Sequence, residues 1–278
     1  MTIVADSGST KTAWACVESG RTALTEGLNP HFTDDDAFMA ACGKARHELA
    51  ASGQQCSVVF YGAGCGSAQA RERVARLIAS AFRTSHTVVA TDMLAACLAT
   101  SDGRRSLVGI LGTGSNACLF DGSAIERQSV STGFILGDKG SANHVGRVLT
   151  DAYLSGNMPD HVMHLFHDLC PMSKDELMEA VYLKPRANRF LASLAPVAVS
   201  NLDDDYCRNV VERCLSGWRD DVLLPLSKGA GTVVVNAVGG LAKAAEGLLG
   251  EVLAEAGLRL GSVVASPMAG LLRHHAAQ

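Results

Sequence analysis

Three short apolar runs, at residues 2–5, 12–17 and 22–27, open the chain with connections too short for a crossover, which predicts an antiparallel meander. The hydrophobic period then lengthens. Residues from about 35 to 51 read as a helix, 57–61 as a strand, 68–82 as a helix and 87–91 as a strand, and a short helix begins at Asp92. The pattern restarts with strands at 107–111, 117–120 and 124–128. A long, mainly helical stretch follows from about 141 to 228. Strand 232–237, helix 241–256, strand 260–265 and a last helix from Met268 complete the chain. The order β-β-β-α-β-α-β-α therefore occurs twice, and the second copy carries a helical insertion. This predicts an α/β chain of two similar domains, 1–105 and 106–278, with the insertion at about 141–228.

Both copies place a glycine turn after their first strand. Asp6-Ser7-Gly8-Ser9-Thr10-Lys11-Thr12 follows the first, and Gly112-Thr113-Gly114-Ser115-Asn116 follows its counterpart. Backbone N–H groups approach a phosphate closely where no Cβ intervenes, so such turns suit phosphate oxygens. One turn alone is a weak sign. Two, facing each other from similar halves, suggest a nucleotide held in a cleft, and make Ser7 to Thr12 and Gly112 to Ser115 the candidate phosphate ligands. Lys11 is not the lysine of a GxxxxGK[ST] loop, which the chain lacks.

Composition narrows the partners. The 278 residues are 47% hydrophobic and 19% charged, with a net charge of −4, ordinary for a globular chain and without an electrostatic footprint for nucleic acid or anionic lipid. No uninterrupted apolar run is long enough to span a bilayer. The start reads as a strand rather than a signal peptide. Nine cysteines include no CxxC pair and mostly fall inside apolar runs, as small buried hydrophobes do. Together these point to a cytoplasmic protein that binds small molecules.

Several polar residues carry candidate chemistry. Asp6 ends the first strand, where an aspartate can hold Mg²⁺ through water or simply accept turn hydrogen bonds. Asp92 follows strand 87–91, read here as central, at the carboxyl end where ligands gather in open α/β sheets; the plain alternative is a helix N-cap. Asp138 lies in the glycine-rich run 133–140, too rich in glycine for a helix interior, and could cap the helix near Ser141 or contact substrate. Asn29, before Pro30, is a turn former as well as a candidate ligand. Gly64 belongs to the loop 61–66, whose Cys65 is flanked by glycines and expected to be exposed. Asn116 could bind substrate or cap its turn. Gly239 and Gly240 open a helix after the penultimate strand and would let a backbone approach adenosine closely. His161, His164 and His167 recur on one helical face, but no carboxylate-rich partner motif supports a metal there.

In this order the motifs resemble the acetate and sugar kinase, Hsp70 and actin superfamily. Within it they are most similar to the BadF/BadG/BcrA/BcrD-type ATPase family and its N-acetylglucosamine kinase branch. The carriers are the two glycine turns, Gly27-Leu28-Asn29-Pro30, Tyr61-Gly62-Ala63-Gly64-Cys65, Thr91-Asp92, Gly133 to Ser141, Val238-Gly239-Gly240 and Ser266 to Leu271. The resemblance implies two ribonuclease H-like domains in an actin-like ATPase fold closing on ATP and Mg²⁺. It implies Asp92 as the base that accepts a sugar hydroxyl proton. Asn29, Gly64, Asn116, Gly133 and Asp138 then become sugar contacts, Gly239 and Gly240 adenosine contacts, and Asp6 the Mg²⁺ residue. A homodimer through the helical insertion is implied as well, as is a last helix that packs back on the first domain. Lys139 departs from the pattern, since the related kinases usually carry an acidic residue there.

The expected function is ATP-dependent phosphorylation of an amino sugar at its C6 hydroxyl, with N-acetylglucosamine the leading substrate. Two alternatives stand beside it. One is an ATPase of the 2-hydroxyacyl-CoA dehydratase activator type, which needs paired cluster cysteines, and Cys97 has no second cysteine in the required motif. The other is an ATP-binding regulator without phosphotransfer.

Overall fold

Each apolar run at the N-terminus forms its expected strand in the computed structural model, which describes residues 1–51, 55–231 and 233–277. The chain divides into two compact units, Met1–Ala99 with Ser266–Gln278, and Thr100–Ala265. The first unit runs β1 (Thr2–Ser7), β2 (Lys11–Cys16), β3 (Thr22–Glu26), α1 (Asp35–Glu48), β4 (Ser57–Gly62), α2 (Ala68–Phe82), β5 (His86–Thr91) and α3 (Asp92–Thr100). The second begins with β6 (Ser106–Leu111), β7 (Ser115–Phe120) and β8 (Ile125–Gln128). Its helical insertion comprises α4 (Gly133–Leu136), α5 (Ala142–Leu154), α6 (Asp160–Leu169), α7 (Lys174–Tyr182), α8 (Ala187–Leu194), α9 (Pro196–Val199), α10 (Asp205–Trp218), a π turn (Arg219–Leu223) and α11 (Leu224–Ser227). It closes with β9 (Val234–Val238), α12 (Gly240–Ala244), α13 (Glu246–Glu255) and β10 (Arg259–Val264), and α14 (Met268–Ala276) returns to the first unit.

The two sheets share one topology. The first is ordered β3-β2-β1-β4-β5; the second, read from its β8 edge, is β8-β7-β6-β9-β10. In both, the first strand is antiparallel to the second and parallel to the fourth. The duplicated α/β fold read from the sequence is the observed one.

Burial explains the strand sequences. In β1, Ile3, Val4 and Ala5 are all fully buried, because helices cover both faces of the sheet. On one face Phe38 and Cys42 of α1 and Val74, Ile78 and Phe82 of α2 pack on Ile3, Trp14 and Phe60. The Trp14 ring lies 5.9 Å from that of Phe60 and 5.5 Å from that of Phe82, and its Nε1 donates to Thr25 Oγ1 at 2.9 Å, which satisfies the indole in the core. On the other face Val4 and Tyr61 meet Ala95 of α3 and Leu271 of α14. In the second unit Leu107 and Leu111 of β6 meet Val145 and Leu149 of α5 and Trp218 of α10 in a large core.

Side-chain caps set most of the long helices. Asp34, Ser67, Ser141 and Asp204 each accept from a backbone N–H of the following turn, and Ser173 with Glu176 forms a capping box.

Three expectations change, and a fourth goes untested. Strand β5 is an edge strand rather than a central one, with Val88 exposed, because no further strand pairs beyond it. The glycine-rich run 133–140 contains the single helical turn α4, held by Gly137 N–H donating to Gly133 O at 2.8 Å. Its flanking glycines confine it to one turn. The helix expected at 241–256 breaks at Ala245, whose φ of −106° and ψ of 25° leave the helical region. The break lets α12 pack on β6 and β9 while α13 packs on α10 and β10. Thr232, which the pattern assigned to β9, lies outside the described residues.

All nine cysteines are free and buried. Among the described residues no helix is long and apolar enough to cross a membrane.

Helix α14 sits close because Gly270 has no side chain: a Cβ there would lie 2.4 Å from Ala99 O. Gly270→Ala is expected to destabilise the protein by about 1–3 kcal/mol, the usual cost of overpacking, read as a lower midpoint in urea unfolding.

Candidate functional site

Each unit gathers its candidate residues at the carboxyl ends of its parallel strands. In the first unit Ser7 of β1 pairs with Gly62 of β4, and Gly62 with Thr91 of β5, so three strand ends are level. Asp6 lies one residue before that line and Asp92 one residue beyond it. Burial, reinforced by the Asp92 charge, pushes the Asp6 carboxyl up to about 7, against a lowering pull from Lys11. Burial also raises the Asp92 carboxyl, while a hydrogen bond from Met93 N–H to Oδ1 at 2.9 Å opposes it.

The capping alternative for Asp92 fails. Thr91 Oγ1 accepts from Leu94 N–H at 3.2 Å and so caps α3, leaving Asp92 as the first helical residue. A poorly solvated carboxylate that no cap requires is a candidate proton acceptor.

The β1–β2 turn is fastened from behind. Gly8 N–H donates to Lys11 O at 3.0 Å and Gly27 N–H to Thr10 O at 3.1 Å. A Cβ on Gly27 would lie 2.5 Å from Ser9 O, so only glycine lets that chain support the turn. Ser7 and Thr12 commit their side chains to the scaffold. Both side chains are fully buried with hydroxyls 2.8 Å apart, Leu28 N–H donates to Ser7 Oγ, and Thr12 Oγ1 donates to Glu26 O. They hold the hairpin, because a buried hydroxyl left unpaired is costly. A phosphate would meet Gly8, Ser9, Thr10 and Lys11, which are half-buried or exposed.

Asn29 and Gly64 come together. Gly64 has φ +84°, and a Cβ on it would lie 2.5 Å from Asn29 Oδ1. That oxygen accepts from His31 N–H at 2.9 Å, so part of Asn29 is committed to its own turn. Arg73, which the sequence did not single out, ties this loop to α2 by donating to Pro30 O, Thr33 O and Asp35 Oδ1. Cys65 is buried, not exposed as expected, and burial with the Asp92 charge pushes its thiol up to about 11. It is inert at neutral pH.

In the second unit the first turn of α5 grips the β6–β7 turn. Ala142 N–H donates to Gly112 O at 2.9 Å, Asn143 N–H to Thr113 O at 3.1 Å, and Asn143 Nδ2 to Thr113 O at 2.7 Å. Asp138 is not the cap of α5, a role that Ser141 fills. Its Oδ1 accepts from Ser115 N–H at 3.2 Å and its Oδ2 from Asn143 Nδ2 at 2.9 Å. A Cβ on Gly114 would lie 2.9 Å from that Oδ2.

The neighbours of Asp138 are fixed too: Lys139 O accepts from Ser115 Oγ at 2.6 Å, and Gly140 N–H donates to His144 Nδ1 at 3.1 Å. Lys139 Nζ forms an ion pair with Asp221 of the π turn. Asn143 and His144 escaped the sequence reading, although they directly follow the Gly140-Ser141-Ala142 start of α5.

Asn116 Oδ1 accepts from Ala117 N–H at 2.8 Å and Ser129 Oγ at 2.7 Å, so that oxygen ties β7 to the residue after β8. A cavity of about 290 Å³ is lined by Ser115, Asn116, Thr132, Gly137, Asp138 and Lys139, among others. Gly133 opens α4 and is not among its lining residues. Gly239, at φ +132°, backs onto the end of β6, where a Cβ would lie 2.2 Å from Leu111 O, and Gly240 opens α12. The candidate adenosine residues therefore adjoin the β6–β7 turn.

The donor set fits a hydrated cation with a phosphate ligand. Asp6 and Asp92 repel one another in a poorly solvated corner, and a divalent cation would favour the charged form of both. Mg²⁺ commonly takes one or two carboxylates plus phosphates and water, so it needs no full protein cage. Among the described residues no group of three or more His, Cys, Asp or Glu side chains could hold a metal. His161 pairs with Asp204 Oδ2 at 2.8 Å.

No family model and no curated protein matches the chain. Among solved structures, a candidate N-acetylglucosamine kinase from Porphyromonas gingivalis is 33% identical with a TM-score of 0.92, over 100% of this chain and 99% of that one. A candidate N-acetylglucosamine kinase from Chromobacterium violaceum is 16% identical with a TM-score of 0.72, over 98% of each chain. A ROK-family glucokinase from Streptomyces griseus, solved with glucose and AMPPNP, is 17% identical with a TM-score of 0.59, over 99% and 98%. The last two share the fold.

The His144 contact gives a pH test. Burial, with Arg147 and Lys139 nearby, lowers the imidazole to about 4, against 6.5 for an unperturbed histidine. The folded state binds fewer protons between those values, so this contribution is full above pH 6.5 and is lost as the pH falls through 4. His144→Gln is expected to flatten the fall in thermal midpoint between pH 6.5 and 4, measured by calorimetry.

Proposed function

The chain belongs to the family of the candidate N-acetylglucosamine kinase of Porphyromonas gingivalis, and on that premise we propose that it is an ATP-dependent sugar kinase. The motifs support the N-acetylglucosamine kinase branch of the BadF/BadG/BcrA/BcrD-type ATPases, with transfer to the C6 hydroxyl of an amino sugar, N-acetylglucosamine first. The observation that carries the reading is Asp92, a poorly solvated carboxylate at a parallel strand end whose capping duty belongs to Thr91.

Asp92 accepts the proton of the sugar hydroxyl as that oxygen attacks. Its raised proton affinity makes it a better acceptor than an ordinary aspartate. Asp6 is assigned to Mg²⁺, through water. Mg-ATP, when bound, supplies the γ-phosphoryl group. Phosphate binding is assigned to the turn Ser7–Thr12 in the first unit, where Gly8–Lys11 are the more accessible residues, and to Gly112–Ser115 in the second, and adenosine to Gly239 and Gly240. Asn29, Gly64, Asn116, Gly133 and Asp138 are assigned to the sugar. The bonds to Ser115 and Asn143 support a further task for Asp138, holding the β6–β7 turn in shape. Catalysis of this kind rests on positioning and charge neutralisation.

Other parts of the reading have their own support. Met178, Tyr182 and Leu183, exposed on and just beyond α7, favour a homodimer through the helical insertion. Nine free cysteines suit a reducing compartment, hence the cytoplasm. The activator alternative loses ground, because Cys97 is buried, away from a cluster shared between subunits.

ADP release with Mg-ATP across N-acetylglucosamine, glucosamine, N-acetylmuramic acid and glucose tests the reading. One sugar is expected to stimulate release, and Asp92→Asn to lower kcat by about 10²–10⁴-fold. Turnover independent of sugar, or none, would move the assignment to an ATPase or a regulator.

A further inference from the structure

The cavity lined by Asn116 and Asp138 does not end at Lys139. It shares Ser129, Val130, Asp221 and Val222 with a second cavity of about 470 Å³. The first alone lies at the small end of ligand sites, about 300–1,000 Å³. The π turn builds the common wall, since it places both Asp221 and Val222 there; such turns recur at functional sites. Pro225 and Leu226 add apolar surface, and Arg127 and Gln128 of the edge strand β8 complete the lining.

The charges here are unequal. Asp221 is paired with Lys139, and Glu126, beside Arg127, is paired with Arg105. Arg127 donates through Nη2 to Lys228 O at 2.9 Å and forms no ion pair among the described residues. Of the two charged side chains that line the second cavity, Asp221 is neutralised by Lys139, and the Arg127 guanidinium is in no ion pair among the described residues. A guanidinium presents donors in a planar fork that matches a carboxylate.

We propose that this second cavity is a subsite for a carboxylate-bearing substituent on the sugar, with Arg127 pairing the carboxylate and Val130, Val222 and Pro225 covering its apolar spacer. The inference deepens the kinase reading and rests on it in one respect, that the first cavity holds the sugar ring. Such a subsite makes Arg127 a specificity-determining residue. It selects among amino sugars by what they carry away from the reacting hydroxyl.

The test uses N-acetylmuramic acid, whose ether-linked substituent ends in a carboxylate, and its neutral methyl ester. Calorimetric titration of the intact protein is expected to show the acid bound about tenfold more tightly than the ester. Arg127→Gln should erase that preference, and Arg127→Lys, which keeps the charge but not the fork, should retain part of it. Arg127 is exposed, and an unchanged thermal midpoint would confirm that each variant folds. Equal binding of acid and ester by the wild type, or a preference that survives Arg127→Gln, overturns the subsite.

ADP release on the same pair separates the two claims. Phosphorylation of N-acetylglucosamine with no preference for the acid sinks the subsite and leaves the kinase. An Arg127-dependent preference in binding, with no sugar phosphorylated, sinks the kinase and leaves an anion subsite.

Discussion

The parallel register of β1, β4 and β5 is the constraint from which the first unit's chemistry follows. Ser7, Gly62 and Thr91 are level across three strands, so Asp6 and Asp92 reach the same end of the sheet although 86 positions separate them. Parallel pairing requires crossover helices, and those helices cover the sheet and remove water from its faces. Burial and proximity then act together. The carboxyl of Asp6 rises to about 7 because its charge is poorly solvated and faces another acid. The backbone arrangement that builds the core is thus also what makes these two acids unusual.

A comparable economy governs the second unit. The start of α5 has two tasks: Ser141 caps the helix, while Ala142, Asn143 and His144 reach back to the β6–β7 turn and the run from Asp138 to Gly140. The turn and Asp138 are therefore held as one piece. Asp138 adopts a φ of +50°, costly for a residue other than glycine, and the bonds on both its carboxylate oxygens maintain it. Close approaches at Gly114 and Gly239 belong to the same construction, since a side chain at either position would collide with the neighbouring strand end or carboxylate.

In both units the hydroxyls and amides nearest the strands serve the scaffold. Ser7 and Thr12 lock one hairpin, and Asn116 Oδ1 braces another. A rigid base of this kind suits phosphoryl transfer, where catalysis comes from holding groups in place. Lys139 fits the same logic. It engages Asp221 and so becomes part of the wall between two cavities. Through that ion pair the residue at 139 shapes the cavity that Asn116 and Asp138 line.

The sequence by itself determined the element order and its duplication, because hydrophobic period and turn chemistry are local properties. Helix α2 spans the expected residues, and the glycine turns fall where the pattern placed them. It also marked Asp6, Asp92 and Asp138 as the acids to watch. What only the tertiary structure decided was how each polar atom is used. That Ser7 and Thr12 turn inward, and that Arg73 and Asn143 brace loops from other elements, depends on distant partners. The helix break at Ala245 and the edge position of β5 were hidden for the same reason. Propensity acts over a few residues, whereas hydrogen-bond satisfaction and packing are settled between segments that only the fold brings together.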